Sequence, residues 1–241
     1  MQLDAVRVVL RPRSVWEGCD LGIRLLQGSK RAVYRCTLGV AVPLFALYLA
    51  TAQLADWLPV LLIWLSKPWL DRTILFVLSR ALFGQGTTAA DLRAAAGSVW
   101  GGQWLRTWTL ARLSASRSFT APIVQLEGLT GRARRERVIV LASRRRGIAR
   151  AMTQAFALGE LALLFSLLTV PAWLAPHRGV GFFDIATWTR TGPLASALAY
   201  AIAVCFVEPY YVAAGFGMYL NRRIELEAWD IEQEFRRAFA A

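Results

Sequence analysis

Long apolar stretches alternate along this chain with shorter basic segments. Three of them, residues 34–54, 153–176 and 193–220, reach the length of about 20 residues that an α-helix needs to cross the hydrocarbon core of a membrane. The pattern therefore predicts at least three transmembrane helices.

A fourth apolar stretch is interrupted by charge. Residues 55–70 can just cross a membrane if Lys67 extends its ammonium group to the interface, and residues 73–84 then form an in-plane or buried helix. One long kinked helix over 57–84 is the alternative. We therefore predict an all-α polytopic membrane protein with about four transmembrane helices plus amphipathic cytoplasmic helices.

The composition agrees with a membrane location. Hydrophobic residues make up 56% of the 241 residues, more than is usual in soluble domains, while the net charge is +12. Six basic residues precede position 34, twelve lie between 85 and 152, and four follow position 220. Since cytoplasmic segments of membrane proteins are rich in lysine and arginine, this distribution predicts that both chain ends are cytoplasmic.

Five segments follow from this topology. They are an N-terminal cytoplasmic amphipathic region (1–33), a first membrane hairpin with its in-plane or kinked helix (34–84), a basic Trp- and Arg-rich cytoplasmic segment (85–152), a second membrane hairpin (153–220) and a C-terminal cytoplasmic amphipathic helix (221–241). The N-terminal region is expected to lie at the membrane surface and to enter the first span after Gly28.

The basic segment contains a tryptophan stripe and two arginine clusters. The tryptophans recur every fourth residue from Trp100, which is typical of a packing or interfacial face. The arginines either determine topology alone or bind anionic lipid headgroups or a partner protein. Stacking aromatics do not interleave with them, which argues against nucleic acid. The candidate binding residues are Arg134, Arg135, Arg137, Arg144, Arg145 and Arg146.

The C-terminal tail has the pattern of an amphipathic helix with an acidic face. Its apolar positions recur at steps of three and four residues, at Ile224, Ala228, Ile231 and Phe235. An acidic face does not favour adsorption to an anionic membrane. We expect the tail to dock against the arginine segment of this chain or against a partner.

Two carboxylates, Glu160 and Glu208, fall within predicted spans. Facing lipid would be costly for either group, so each is expected to point into the bundle and to pair with a cation or a hydrogen-bond donor. Arg72 and Arg80 are the candidate partners of Glu208. Structural pairing is one interpretation of the two acids, and a proton or ion pathway is the other.

Pro209, directly after Glu208, is predicted to kink the last span. The small residues that follow, Ala213, Gly215 and Gly217, form a face that lets another helix approach closely.

The sequence offers no positive sign of catalysis or of a cofactor. His177 is its only histidine, which excludes multi-histidine metal sites, and neither a phosphate-binding loop nor a nucleophile elbow is present. Cys19, Cys36 and Cys205 lack metal-ligand spacing and are interpreted as small buried hydrophobes. We therefore predict a protein that is not an enzyme.

Three segments carry a resemblance: KPWLDRTILFVLSRALFG, SRSFTAPIVQLEGL and EPYYVAAGFGMYLNRRIELEAWDIEQEFRR. Together they resemble an uncharacterised group of bacterial inner-membrane proteins and, distantly, the membrane domain that accompanies some glycerophosphodiester phosphodiesterases. The resemblance implies an inner-membrane location and membership of an assembly that includes a MoxR-type ATPase. It brings no catalytic residue with it.

Two functional hypotheses follow from the sequence. The first is a non-enzymatic scaffold or subunit of a membrane assembly, which docks other membrane proteins and anionic lipid through its cytoplasmic helices. The second is a small transporter or lipid-handling protein that uses Glu160 and Glu208 within the bundle.

Overall fold

The computed structural model describes residues 11, 13–101, 116–143, 145–173 and 192–227, and these form helices joined by short connections. In chain order the elements are α1 (Val15–Ala50), a 3-10 turn (Thr51–Gln53), α2 (Leu58–Leu82), α3 (Ala89–Ala94), α4 (Ala96–Trp100), α5 (Arg117–Gln125), α6 (Gly131–Ala142), α7 (Arg146–Trp173) and α8 (Pro193–Glu227). The described residues contain no β-strand.

Three helical segments are long and apolar enough to cross a membrane: Val15–Gln53, Arg146–Thr169 and Pro193–Glu227. They include residues 34–53 and 153–169 of the first two long apolar stretches and the whole of the third, 193–220. The prediction of an all-α membrane protein is therefore confirmed.

The N-terminal amphipathic region and the first predicted span form one helix. Ser14 begins α1 with a capping box, in which its hydroxyl accepts from the backbone N–H of Glu17 and the Glu17 carboxylate accepts from the backbone N–H of Ser14. The helix then continues past Gly28 and Pro43 without interruption. A change of direction after Gly28 was therefore the wrong expectation.

The second predicted span is part of α2, a single helix from Leu58 to Leu82 that includes Pro68. The alternative of one long helix is thus the correct one. The expectation that Lys67 reaches the interface is wrong, because Lys67 is buried with 7% of its surface exposed. Since Lys67, Asp71 and Arg72 lie close together in α2, this helix is not among the three candidate spans, and its crossing of the membrane stays a prediction.

The centre of the bundle is the crossing of α1 and α8, where small residues bring the two backbones into contact. A Cβ atom added to Gly217 would lie 2.1 Å from the carbonyl oxygen of Gly18, and one added to Gly22 would lie 1.9 Å from that of Ala213. Such backbone proximity is available only to small residues. The predicted small-residue face of α8 is confirmed for Ala213 and Gly217, and its counterpart is the Gly18–Gly22 pair of α1.

Gly215 serves a second contact on another side of α8. A Cβ atom there would lie 2.3 Å from the hydroxyl oxygen of Ser118, which is the second residue of α5. The absent side chain lets the short helix α5 pack directly on α8. This packing brings Arg117 into the bundle.

Helix α7 packs mainly against α8 and leaves much of its apolar surface exposed. Leu158, Leu161 and Phe165 each expose between 47% and 66% of their surface. Apolar side chains at this density on a membrane-length helix are suited to contact with lipid or with another transmembrane helix.

Candidate functional site

Five charged side chains from four helices meet inside the bundle. They are Lys67 and Asp71 of α2, Arg117 of α5, Glu160 of α7 and Glu208 of α8, and we call them the buried charge cluster. Because residues four apart share one face of a helix, α2 directs both Lys67 and Asp71 toward the same interior space.

Lys67 joins two of the long helices. Its Nζ atom lies 2.5 Å from Oε2 of Glu160 and 2.7 Å from Oε2 of Glu208. The ammonium group therefore ties α2 to α7 and to α8 at once. Both acids that were predicted to face the bundle interior do so.

Arg117 supplies the second cation. Its Nη2 donates to Oε1 of Glu208, and its Nε lies 2.6 Å from Oδ2 of Asp71, in an ion pair that lacks hydrogen-bond alignment. The guanidinium carbon also lies 5.3 Å from the ring centroid of Tyr211, within cation–π range. Arg117 thus binds α5 to both α2 and α8.

Tyr211 extends the cluster with hydrogen bonds. Its hydroxyl oxygen accepts from the backbone N–H of Ser118 at 3.3 Å and lies 3.3 Å from Oγ1 of Thr153. Tyr211 of α8 therefore contacts both α5 and α7.

The buried charge cluster contains one more acid than base. Three carboxylates face two cations, and none of the five residues is exposed; Asp71 and Glu208 retain 3% and 1% of their surface. Neither carboxylate oxygen of Asp71 has a hydrogen-bond partner among the described residues. Because an uncompensated charge is costly in such surroundings, we expect the cluster to hold one proton or to attract one further cation.

The partners predicted for Glu208 were wrong. Arg72 follows Asp71 directly, so the helix turns its side chain by about 100° away from the face that carries Lys67 and Asp71. Arg80 lies nine residues beyond Asp71, which is about 13 Å along the helix axis, and it approaches Asp91 and the carbonyl of Gly86 instead.

The buried charge cluster borders a cavity of about 340 Å³. Lys67, Arg117, Glu160 and Glu208 all line it, together with aromatic and apolar side chains of α2, α7 and α8. A cavity of this size lies at the lower end of the range for small-molecule sites. The arrangement can therefore lock helices together, bind a proton or hold a small polar ligand.

A second group of charges lies at the end of α8. This Arg–Glu cluster consists of Glu127, Arg137, Arg145, Arg222, Arg223, Glu225 and Glu227. Within it Arg137 donates to Glu127 at 2.8 Å and also to Glu227, while Arg145 donates to Glu225 at 3.1 Å. The hydrogen bond to Glu127 raises the pKa of Arg137, so this guanidinium stays charged.

The Arg–Glu cluster confirms one expectation about the tail. Its first acids, Glu225 and Glu227, dock against the arginine segment of this chain as predicted. Residues 228–241, which include the predicted positions Ala228, Ile231 and Phe235, lie outside the described part of the chain.

The structure separates the six arginines that were proposed to bind lipid or a partner. Arg137 and Arg145 are engaged in the internal ion pairs just described, so their assignment as free binding residues needs correction. Arg134 is half-buried, whereas Arg135 and Arg146 are exposed. Arg144 lies outside the described residues.

The tryptophan stripe and the cysteines are accounted for in part. Trp100 ends α4, and its indole N–H donates to Oγ1 of Thr73 at 3.1 Å, which is a packing role. Positions 104 and 108 lie outside the described residues.

Cys19 and Cys36 are buried and Cys205 is half-buried, and all three are free thiols. Among the residues that the structure covers, no three His, Cys, Asp or Glu side chains are grouped as metal ligands.

No family model, curated protein or solved structure matches this chain. The resemblance to bacterial inner-membrane proteins therefore stays a prediction.

Proposed function

We propose that this protein is a non-enzymatic scaffold or subunit of a membrane assembly. The observation that carries the proposal is that each charged side chain of the buried charge cluster pairs with another member of the cluster. Such a cluster joins four helices, including the short helix α5. Its most direct role is to fix α5, and with it the next helix α6, to the membrane bundle.

The exposed face of α6 is the docking surface that we propose. Arg135 and Ile139 are four residues apart and share this face, Val140 adjoins them, and Ile139 and Val140 expose 57% and 49% of their surface. Apolar side chains beside an exposed arginine suit an acidic and partly apolar protein surface. Arg146, at the start of α7, adds an exposed charge near the end of α6.

In this proposal the α6 face lies on the cytoplasmic side of a bacterial inner membrane, together with both chain ends. The distribution of basic residues supports this orientation. The partners that we propose are other membrane proteins of the same assembly, among them a MoxR-type ATPase system, with anionic lipid headgroups around the bundle.

The test is purification of the tagged protein from its native membrane in mild detergent, followed by mass spectrometry of co-purifying proteins. We expect a stoichiometric protein partner that is lost when Arg135 and Arg146 are both changed to Glu. The control is Arg93→Glu, another exposed arginine on a different helix. Equal retention of the partner by the double variant and by the control would overturn the docking surface.

A second function, a small transporter or lipid-handling protein, is favoured by one observation. The cavity of about 340 Å³ is lined by Glu160 and Glu208, and Lys67 and Arg117 supply the polar lining that two acids alone would lack. A solute or a lipid headgroup in this cavity would contact charges from four helices.

Glu208→Gln distinguishes the two functions. If the cluster fixes α5 and α6 to the bundle, the Glu208→Gln variant loses stability or its partner protein, because Lys67 and Arg117 both lose a charged contact. If the cavity transports a solute, the variant assembles normally and loses flux. Normal assembly together with normal growth would contradict both functions.

A further inference from the structure

A second cavity, larger than the one at the buried charge cluster, lies between α1 and the end of α2. Its volume is about 690 Å³, well within the range of small-molecule sites. Residues 21–32 of α1 form one wall, and the opposite wall is formed by Val77 and Ala81 of α2 and by the connection 84–87. We call it the α1–α2 pocket.

Among the residues that the structure describes, the charged side chains that line the α1–α2 pocket are all basic. They are Arg24, Lys30 and Arg31, and no acidic residue of the described ranges lines it. In contrast to the arginines of the Arg–Glu cluster, none of the three makes an ion pair with the described residues. Three cations without a carboxylate attract an anionic group.

A buried hydroxyl group in the pocket wall also lacks a partner. Thr87 exposes 8% of its surface, and its Oγ1 has no hydrogen-bond partner among the described residues. A buried hydroxyl without a partner is costly, so a ligand that accepts its hydrogen would remove a penalty. Phosphate oxygens accept such hydrogen bonds and attract arginine and lysine.

The remaining walls are apolar. Leu21 and Leu25 of α1 face Val77 and Ala81 of α2 across the pocket. The basic residues precede the first long apolar stretch of the chain, which begins at Tyr34, so the pocket lies where a span enters the membrane. Cations beside apolar walls, next to the start of a long apolar stretch, fit a phosphate group attached to acyl chains.

We propose that the α1–α2 pocket binds the phosphate headgroup of an anionic phospholipid. The three cations contact the phosphate, and Thr87 donates to one of its oxygens. Ala32 and Val77, the apolar pocket residues nearest the long apolar stretches of α1 and α2, contact the upper part of an acyl chain. This site is separate from the α6 face and from the buried charge cluster, and the proposed scaffold function does not depend on it.

The experiment is a titration of the delipidated full-length protein with phosphatidylglycerol and, separately, with phosphatidylcholine, followed by native mass spectrometry. We expect phosphatidylglycerol to bind more tightly than phosphatidylcholine. Each basic residue near an anionic surface contributes about a fivefold factor in affinity, so replacing Arg24, Lys30 and Arg31 together with Gln should weaken phosphatidylglycerol binding about 100-fold. The matched control replaces three other exposed cations outside the pocket, Arg93, Arg132 and Arg150, with Gln.

A charge-preserving variant tests the same site by blocking it. A Cβ atom at Gly28, a pocket residue, meets nothing within 4 Å, so Gly28→Leu fills the pocket without disturbing the packing of α1. We expect it to weaken phosphatidylglycerol binding. Gly39→Leu, which also meets open space but lies outside the pocket, should not.

Three results would overturn the proposal. Equal binding by the Gly28→Leu and Gly39→Leu variants would show that the lipid does not occupy the pocket. Equal loss in the pocket and control triple variants would show a non-specific attraction to charge. Displacement of bound phosphatidylglycerol by an equal concentration of glycerol 3-phosphate would assign the pocket to a soluble phosphate ester.

Discussion

The crossing of α1 and α8 gives a prediction that rests on backbone geometry. A Cβ atom at Gly22 would lie 1.9 Å from the carbonyl oxygen of Ala213, whereas ordinary van der Waals contact begins at 3.4 Å. Gly22→Ala therefore requires the two helices to separate by about 1.5 Å, and overpacking of this kind typically costs about 1–3 kcal/mol. The matched control is Gly28→Ala, whose Cβ meets nothing within 4 Å.

The two alanine variants should differ in the sign of their effect. Alanine in place of glycine inside a helix stabilises by about 0.5–1 kcal/mol where space is available, so Gly28→Ala should unfold at an equal or higher temperature than the wild type. Gly22→Ala should unfold at a lower temperature, because the steric cost exceeds this gain. The measurement is thermal unfolding in detergent, followed by circular dichroism. Equal unfolding temperatures for the two variants would refute the close packing of α1 on α8.

The remaining predictions concern charge. Lys67→Gln leaves one cation against three carboxylates and should destabilise the bundle by about 3 kcal/mol. Asp71→Asn leaves two cations against two carboxylates and should destabilise it less. Chemical unfolding in detergent compares the two variants, and an equal loss of stability would contradict the count of charges. Arg137→Gln should loosen the end of α8, seen as faster amide hydrogen exchange near Glu227, and unchanged exchange would show that the Arg–Glu cluster contributes no local stability. The Asp91 carboxylate accepts from the backbone N–H and the hydroxyl of Thr88, and the backbone hydrogen bond lowers its pKa. This stabilisation of α3 is present above the ordinary pKa of 3.8 and is lost as the pH falls through the lower folded-state value. NMR titration of wild type and Thr88→Ala checks it, and an ordinary Asp91 pKa in the wild type would contradict it.

Local composition was enough to predict the large elements of the fold. Apolar runs of the required length predicted the three membrane helices, and the small residues after Pro209 predicted the close helix crossing. The tail was expected to dock against the arginine segment or against a partner, and its acids at 225 and 227 meet the arginine segment. These features depend on neighbouring residues, which a single sequence displays directly.

Local sequence patterns did not predict which charged residues pair across the bundle. Arg117 was counted only as one of several arginines that follow the tryptophan stripe, and Lys67 was placed at the end of a shorter span than α2 proves to be. The spacing of Lys67 and Asp71 was an available signal, because a cation and an acid four residues apart within an apolar stretch share one helix face. The Gly18–Gly22 pair was another, since glycines four residues apart often mark a close helix crossing.

The order of apolar and charged residues along the chain was sufficient to specify that this protein is helical and enters a membrane, because hydrophobic burial and backbone hydrogen bonding act within each segment. The pairing of charges depended instead on how the segments pack. Glu208 of α8 meets Lys67 because α2 packs against α8, and it meets Arg117 because α5 packs where Gly215 leaves room. The three cations at the α1–α2 pocket depend on packing in the same way, because the packing of α1 on α2 brings no carboxylate of the described residues to that wall.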